Sequence, residues 1–204
     1  MMPRTIHKGD PNGCVSAMQK MIRRGLEKEA MEFAVELGHT SKSFATWVTN
    51  RLLIISYEDV GLADPSIIPL VKTCCEQAKA WYADGRVAEW RMAVGTAIRA
   101  MCRAPKSREG DHFQAAVGIR SEIEGFAPTV PEWCFDKHTA QGRRLGRGVD
   151  HFRQVGTVLV PPPAKKDPYE DEAYRLWVLA DGQKKAAKEA EKEDTKEDAN
   201  GRLF

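Results

Sequence analysis

With 204 residues, 42% of them apolar and 29% charged, the chain can bury one sizeable core and reads as globular, while a formal charge of only +2 excludes a uniformly basic surface and restricts any nucleic-acid contact to a local patch. Five cysteines without a C-x-x-C pair suggest neither a disulfide framework nor a zinc site and fit a reducing cytoplasm. The opening Met-Met-Pro-Arg-Thr-Ile-His-Lys has no apolar h-region and no window is long enough to cross a bilayer, so a cytoplasmic protein with no membrane association is expected.

Residues 1–12 read as an N-terminal arm, closed by the turn chemistry of Asp10-Pro-Asn-Gly13. The helix that follows places Val15, Met18 and Ile22 on one side, and Gly25 interrupts it. A second helix from about Glu27 to Leu37 carries Ala30, Phe33, Ala34 and Leu37, with Gly38 and His39 closing it before Ser41 or Ser43 caps a third. In that third helix Phe44, Trp47, Val48, Leu52 and Ile55 fall at helical spacing, and Leu53 and Ile54 widen the stripe until little of it can face water.

A corner follows. Gly61 sits where a left-handed cap is wanted, and Asp64-Pro65 supplies an N-cap and a proline at the first helical position. Glu58 and Asp59 lie there beside an apolar wall and need partners; Arg51, two turns before Glu58, is on the same face. A structural ion pair is one reading and a catalytic acid pair the other. Two more amphipathic helices, Ile67 to Trp81 and Val87 to Met101, lead to a break at Ala104-Pro-Lys-Ser107, where Lys106 and Ser107 either cap a helix or touch a ligand. A further helix bears Phe113, Ala116, Val117, Ile119 and Ile123.

Three of these stretches carry a resemblance. Ser16-Ala-Met-Gln-Lys20-Met-Ile22-Arg23 with Glu29-Ala30, the run Ser56-Tyr-Glu-Asp-Val-Gly-Leu-Ala-Asp-Pro65, and the helix ending in Ala-Pro-Lys-Ser107 together resemble the collar of the replication-associated recombination protein A family, RarA/MgsA and its Werner-helicase-interacting relatives. The similarity runs from about Gly13 to Ile123, and more loosely to Gly156. It implies an all-α, clamp-loader-collar-like bundle over residues 13–126 that assembles tetramers, so that part of the apolar stripe faces another subunit. Arg51, Glu58, Asp59, Gly61, Asp64, Pro65, Lys106 and Ser107 would be its structural signature. Full-length members carry an ATPase module before the collar, but the present sequence opens just upstream of the collar and contains no Walker A motif. ATP hydrolysis is therefore not carried over; no enzyme activity, cofactor or metal is expected.

Residues 127–160 change character, combining glycines, arginines and aromatics. Lys137, His138, Arg143, Arg144, Arg147, His151 and Arg153 form a candidate nucleic-acid surface: arginines pair with phosphates, His138, His151 or Phe152 stack on bases, and glycines admit a phosphate closely. The competing reading is packing, with Asp136 and Asp150 consuming the arginines in salt bridges. Gly142-x-x-x-Gly146-x-Gly148 is not followed by Lys-Ser/Thr and is no phosphate loop; Cys134, Asp136 and His138 match no zinc spacing.

Residues 161–182 form a proline linker and a docking helix carrying Tyr169, Ala173, Leu176, Trp177 and Ala180. The charged segment 183–204 reads as a solvated helix or a flexible tether. It ends in Leu203-Phe204, similar to the Leu-Phe part of the bacterial sliding-clamp-binding peptide, with Asn200 where that peptide has glutamine. The expected function is a non-catalytic oligomeric accessory of DNA replication and recombination acting through protein partners at forks: a homo-oligomer, a full-length RarA-type ATPase or a sliding clamp. The alternative is DNA binding by the 136–153 loop.

Overall fold

A computed structural model describes the backbone of residues 4–200 and the side chains as far as residue 190; Leu203 and Phe204 lie outside the described residues. It divides into two compact units, with the boundary between Ala127 and Pro128. Every regular element among the described residues is helical, as the all-α expectation requires.

The first unit contains α1 (Pro11–Arg23), α2 (Glu27–Thr40), α3 (Lys42–Ile55), α4 (Ile67–Ala83), α5 (Val87–Arg103) and α6 (Glu109–Glu124). Asp10 starts α1 by accepting from the backbone N–H groups of Asn12 (3.2 Å) and Gly13 (2.9 Å), with Pro11 in the first turn. Thus Pro11 and Asn12, the end of the arm as read from the sequence, already belong to the opening turn of the helix. Ser41 caps α3 through Phe44 N–H at 3.3 Å. Helices α1 to α5 pack on one another, and Met18, Ile22, Leu37, Val48, Leu52, Ile55, Val71, Trp90, Ile98 and Met101 are fully buried. At about 1.5–3 kcal/mol per fully buried large apolar side chain, this set supplies the main drive to fold.

Two readings of the sequence change here. Gly38 does not close α2, which runs on to Thr40; a Cβ at residue 38 would lie 2.0 Å from the Trp90 ring, so glycine is there to let the indole in. Tyr82 locks the same contact, donating to Gly38 O at 2.6 Å and meeting Trp90 edge-on at 5.6 Å. Nor is α3 buried all round: Ile54 is half exposed, because the partners of α3 cover one side only.

The second unit holds two short helices, α7 (Ala140–Arg144) and α8 (Val149–His151), and the long α9 (Glu170–Asn200). Segment 183–200 therefore takes the helical form of the two considered. Tyr174 is the residue of α9 that docks, 7% exposed, while Tyr169 and Leu176 stay in solvent. Its hydroxyl pairs with that of Thr157 at 2.8 Å, and Trp177 meets Tyr174 and Phe152 edge-on.

Candidate functional site

The corner after α3 is built around one carboxylate. At Ser56–Val60 the helix widens to a π-turn, with Gly61 N–H reaching back to Ser56 O. Glu58, inside that widened turn, does not pair with Arg51. Arg51 makes no ion pair among the described residues; Glu58 is held instead by Arg23 and Arg108, each at 3.3 Å. Asp59 is completely buried. It accepts from Arg23 Nε (2.8 Å), Arg23 Nη2 (3.2 Å) and Gln19 Nε2 (3.1 Å), and Arg108 Nε lies 3.7 Å away. An isolated buried charge is prohibitively costly; a bidentate guanidinium and an amide offset that cost.

The third stretch closes the same corner. Ser107 N–H donates to Asp59 O at 3.1 Å, while Lys106 folds back to cap α5, donating to Cys102 O (3.1 Å) and Ala104 O (2.6 Å). Burial pushes the Lys106 ammonium below its usual range, against the pull of Cys102 and Asp59. Ser107 Oγ accepts from Glu109 N–H at 3.1 Å and starts α6. Lys106 therefore caps the end of α5, while Ser107 stands one residue before Arg108, the N-cap of α6. Gly61 has the positive φ of a cap, 50°, but its ψ of −128° lies outside the left-handed helical well. Asp64 accepts from Ser66 N–H at 3.2 Å, and α4 begins at Ile67, two residues beyond Pro65. With every carboxylate oxygen of Asp59 engaged, the corner is a latch joining Gln19 and Arg23, Glu58 and Asp59, and Ser107 and Arg108.

A family model described as MgsA AAA+ ATPase C terminal matches residues 37–154, from the last turn of α2 to the turn that follows α8. This chain belongs to that family. Over 166 residues it is 31% identical to Replication-associated recombination protein A of Bacillus subtilis (strain 168), an alignment covering 76% of the chain and 37% of that protein. The chain thus spans little more than a third of the curated relative's length. The matched region of the MgsA C-terminal family contains Asp59, Ser107 and the arginine-rich loop, whereas Arg23 and α9 fall outside it.

In the arginine-rich loop of the second unit most cations already have work. Arg147 donates to Glu132 O (2.7 Å), Phe135 O (2.8 Å) and Glu132 Oε1 (2.6 Å). Arg143 donates to His138 O at 2.9 Å, and Arg153 pairs with Asp171 across the face of Tyr174. Packing therefore does engage these arginines, but through Glu132, Asp171 and backbone carbonyls, not through Asp136 or Asp150. Asp136 instead accepts from His138 N–H (2.9 Å) and faces its ring at 3.3 Å, contacts that hold its carboxyl below the usual range. Gly142 serves the loop's own packing, because a Cβ there would lie 1.8 Å from Asp136 O. His151 Nδ1 is buried without a partner.

Two candidates face outward. Arg144 is exposed, and the exposed ring of His138 rests edge-on against Phe152 at 4.9 Å. Lys137 lies 3.7 Å from Asp181 and over the rings of Phe152 and Trp177. Beside it opens a concavity of about 600 Å³, bordered by Lys137, Arg143 and Arg147 and by three lysines of α9, Lys184, Lys185 and Lys188. Sequence reasoning missed those lysines, since a polar helix does not reveal what it faces.

Proposed function

We propose that this chain is a non-catalytic helical assembly module of DNA replication and recombination that works through protein partners, first among them further copies of itself. The observation that carries the reading is α6. It contributes no buried residue, yet its Phe113, Val117, Ile119 and Ile123, spread over a broad arc of the helix, are 52–78% exposed. Such a face lowers its free energy by being covered, and a second copy is the occupant that symmetry makes self-complementary. A tetramer follows from the family resemblance, and the same face suits a full-length RarA-type ATPase. The replication and recombination context rests on the likeness to the B. subtilis protein. The sliding clamp remains the proposed partner of Leu203-Phe204.

Light scattering on the whole chain tests this. The expected mass is a multiple of 22.8 kDa for the wild type, falling to 22.8 kDa when Phe113→Asp and Ile123→Asp are combined. Both side chains are exposed in the single chain, so the exchange spares the core. A wild type that stays at 22.8 kDa at every concentration overturns the proposal.

A second reading has its own support. DNA binding by the 136–153 loop is favoured by the basic concavity beside Lys137 and Arg143. A gel shift at low salt, where phosphate contacts are strongest, is its test; no shift there ends it.

A further inference from the structure

The concavity of the second unit has two walls, and only one belongs to the loop. Lys137, Arg143 and Arg147 line the first; Lys184, Lys185 and Lys188 of α9 line the second. The single acid among the lining residues, Asp181, lies 3.7 Å from Lys137. Six cations line the cleft against Asp181 and, behind Arg147, Glu132 at 2.6 Å; in a chain whose whole formal charge is +2 this excess concentrates positive potential where low-dielectric walls focus it.

We propose that this cleft is a groove for the phosphate backbone of single-stranded DNA, with the α9 lysines as its second wall. The proposal rests on the DNA-binding reading and extends it to residues beyond the loop. Arg147 is the positioning residue: its bonds to Glu132 and Phe135 fix the loop wall. Arg143 spends one nitrogen on the carbonyls of Lys137 and His138 and keeps the rest of its fork for a phosphate. A recess of about 600 Å³ falls in the range of small-ligand pockets, about 300–1,000 Å³, and has room for a short stretch of one strand. The His138 ring at its edge, with a side chain 62% exposed, offers a face on which a base stacks.

The test is fluorescence anisotropy of a labelled oligothymidine strand with the full chain, over a salt series. Replacing Lys184, Lys185 and Lys188 together by alanine weakens binding at low salt by about tenfold or more, and flattens the log K against log salt slope by about 2, at about 0.7 per lost single-strand phosphate contact. Lys72→Ala, at an exposed lysine of the first unit, changes affinity by less than about threefold. Circular dichroism checks that the lysine variant keeps its helix content. Wild-type affinity and slope in the triple variant overturn the groove. If the strand still binds and only Arg143→Ala or Arg144→Ala abolishes it, the loop reading survives and the groove does not. If the wild type fails to bind at low salt, both fall.

Discussion

Arginine does opposite jobs in the two units. In the first, Arg23 reaches a carboxylate with no exposed surface and makes burial of that charge tolerable. In the second, Arg147 reaches mostly carbonyls and fixes the path of a loop with little apolar core of its own. What separates them is the surroundings: where an acid is buried the guanidinium neutralises it, and where the backbone is irregular it replaces missing secondary structure as a hydrogen-bond donor. The contrast gives a stability role to the first and a shaping role to the second.

The largest effect should come from breaking the latch. Asp59→Ala strips Gln19 and Arg23 of their buried acceptor, leaving the guanidinium only Glu58, and should cost about 3–5 kcal/mol, read as a drop in the urea midpoint. A loss below 1 kcal/mol would mean that water reaches the site and that the two arginine environments are not distinct. Next is Gly38→Ala, which drives a methyl into the Trp90 ring and should cost at least about 1–3 kcal/mol. Gly118→Ala in α6 meets no atom within 4 Å and should instead stabilise by about 0.4–1 kcal/mol, through the entropy of the unfolded chain.

Much of the first unit was legible in the sequence. The spacing of Val15, Met18 and Ile22, the stop near Gly61 and the proline break at Ala104 to Ser107 are local signals, and the helices lie where those signals put them. The partner of Asp59 was not legible: Arg23 is 36 residues away, and the π-turn at Ser56–Val60 leaves no periodic trace. Gly38 and Gly142 looked like a helix stop and a phosphate contact, because close approach of a distant ring or carbonyl depends on packing that no local pattern encodes. In the second unit the residue types were visible but their partners were not. Glu132 and Asp171 lie further along the chain from Arg147 and Arg153 than Asp136 and Asp150 do, and proximity in sequence favoured the wrong acids.

A smaller effect sharpens the shaping role. Arg147→Ala should remove roughly 1.5–3 kcal/mol of local stability, seen as faster amide exchange over residues 132–148, while the unfolding midpoint of the first unit stays unchanged. The smallest concerns an exposed cluster on the first unit. The Arg103 hydrogen bond first, with Arg99 after it, holds the Glu27 carboxyl below its usual range against the opposing effect of desolvation. A depressed carboxyl pKa contributes stability that is present above the unfolded value of 4.5 and is lost as pH falls through the folded value. The advantage of the wild type over Glu27→Gln should therefore be visible at pH 7 and shrink as pH falls below 4.5.

α6 is the face proposed to be covered by another copy. Hydrogen exchange of the whole chain over a dilution series measures that directly: amides of residues 109–124 should be protected at high concentration and lose protection on dilution, while those of residues 132–148 do not respond. Exchange in α6 that is fast and independent of concentration would contradict it.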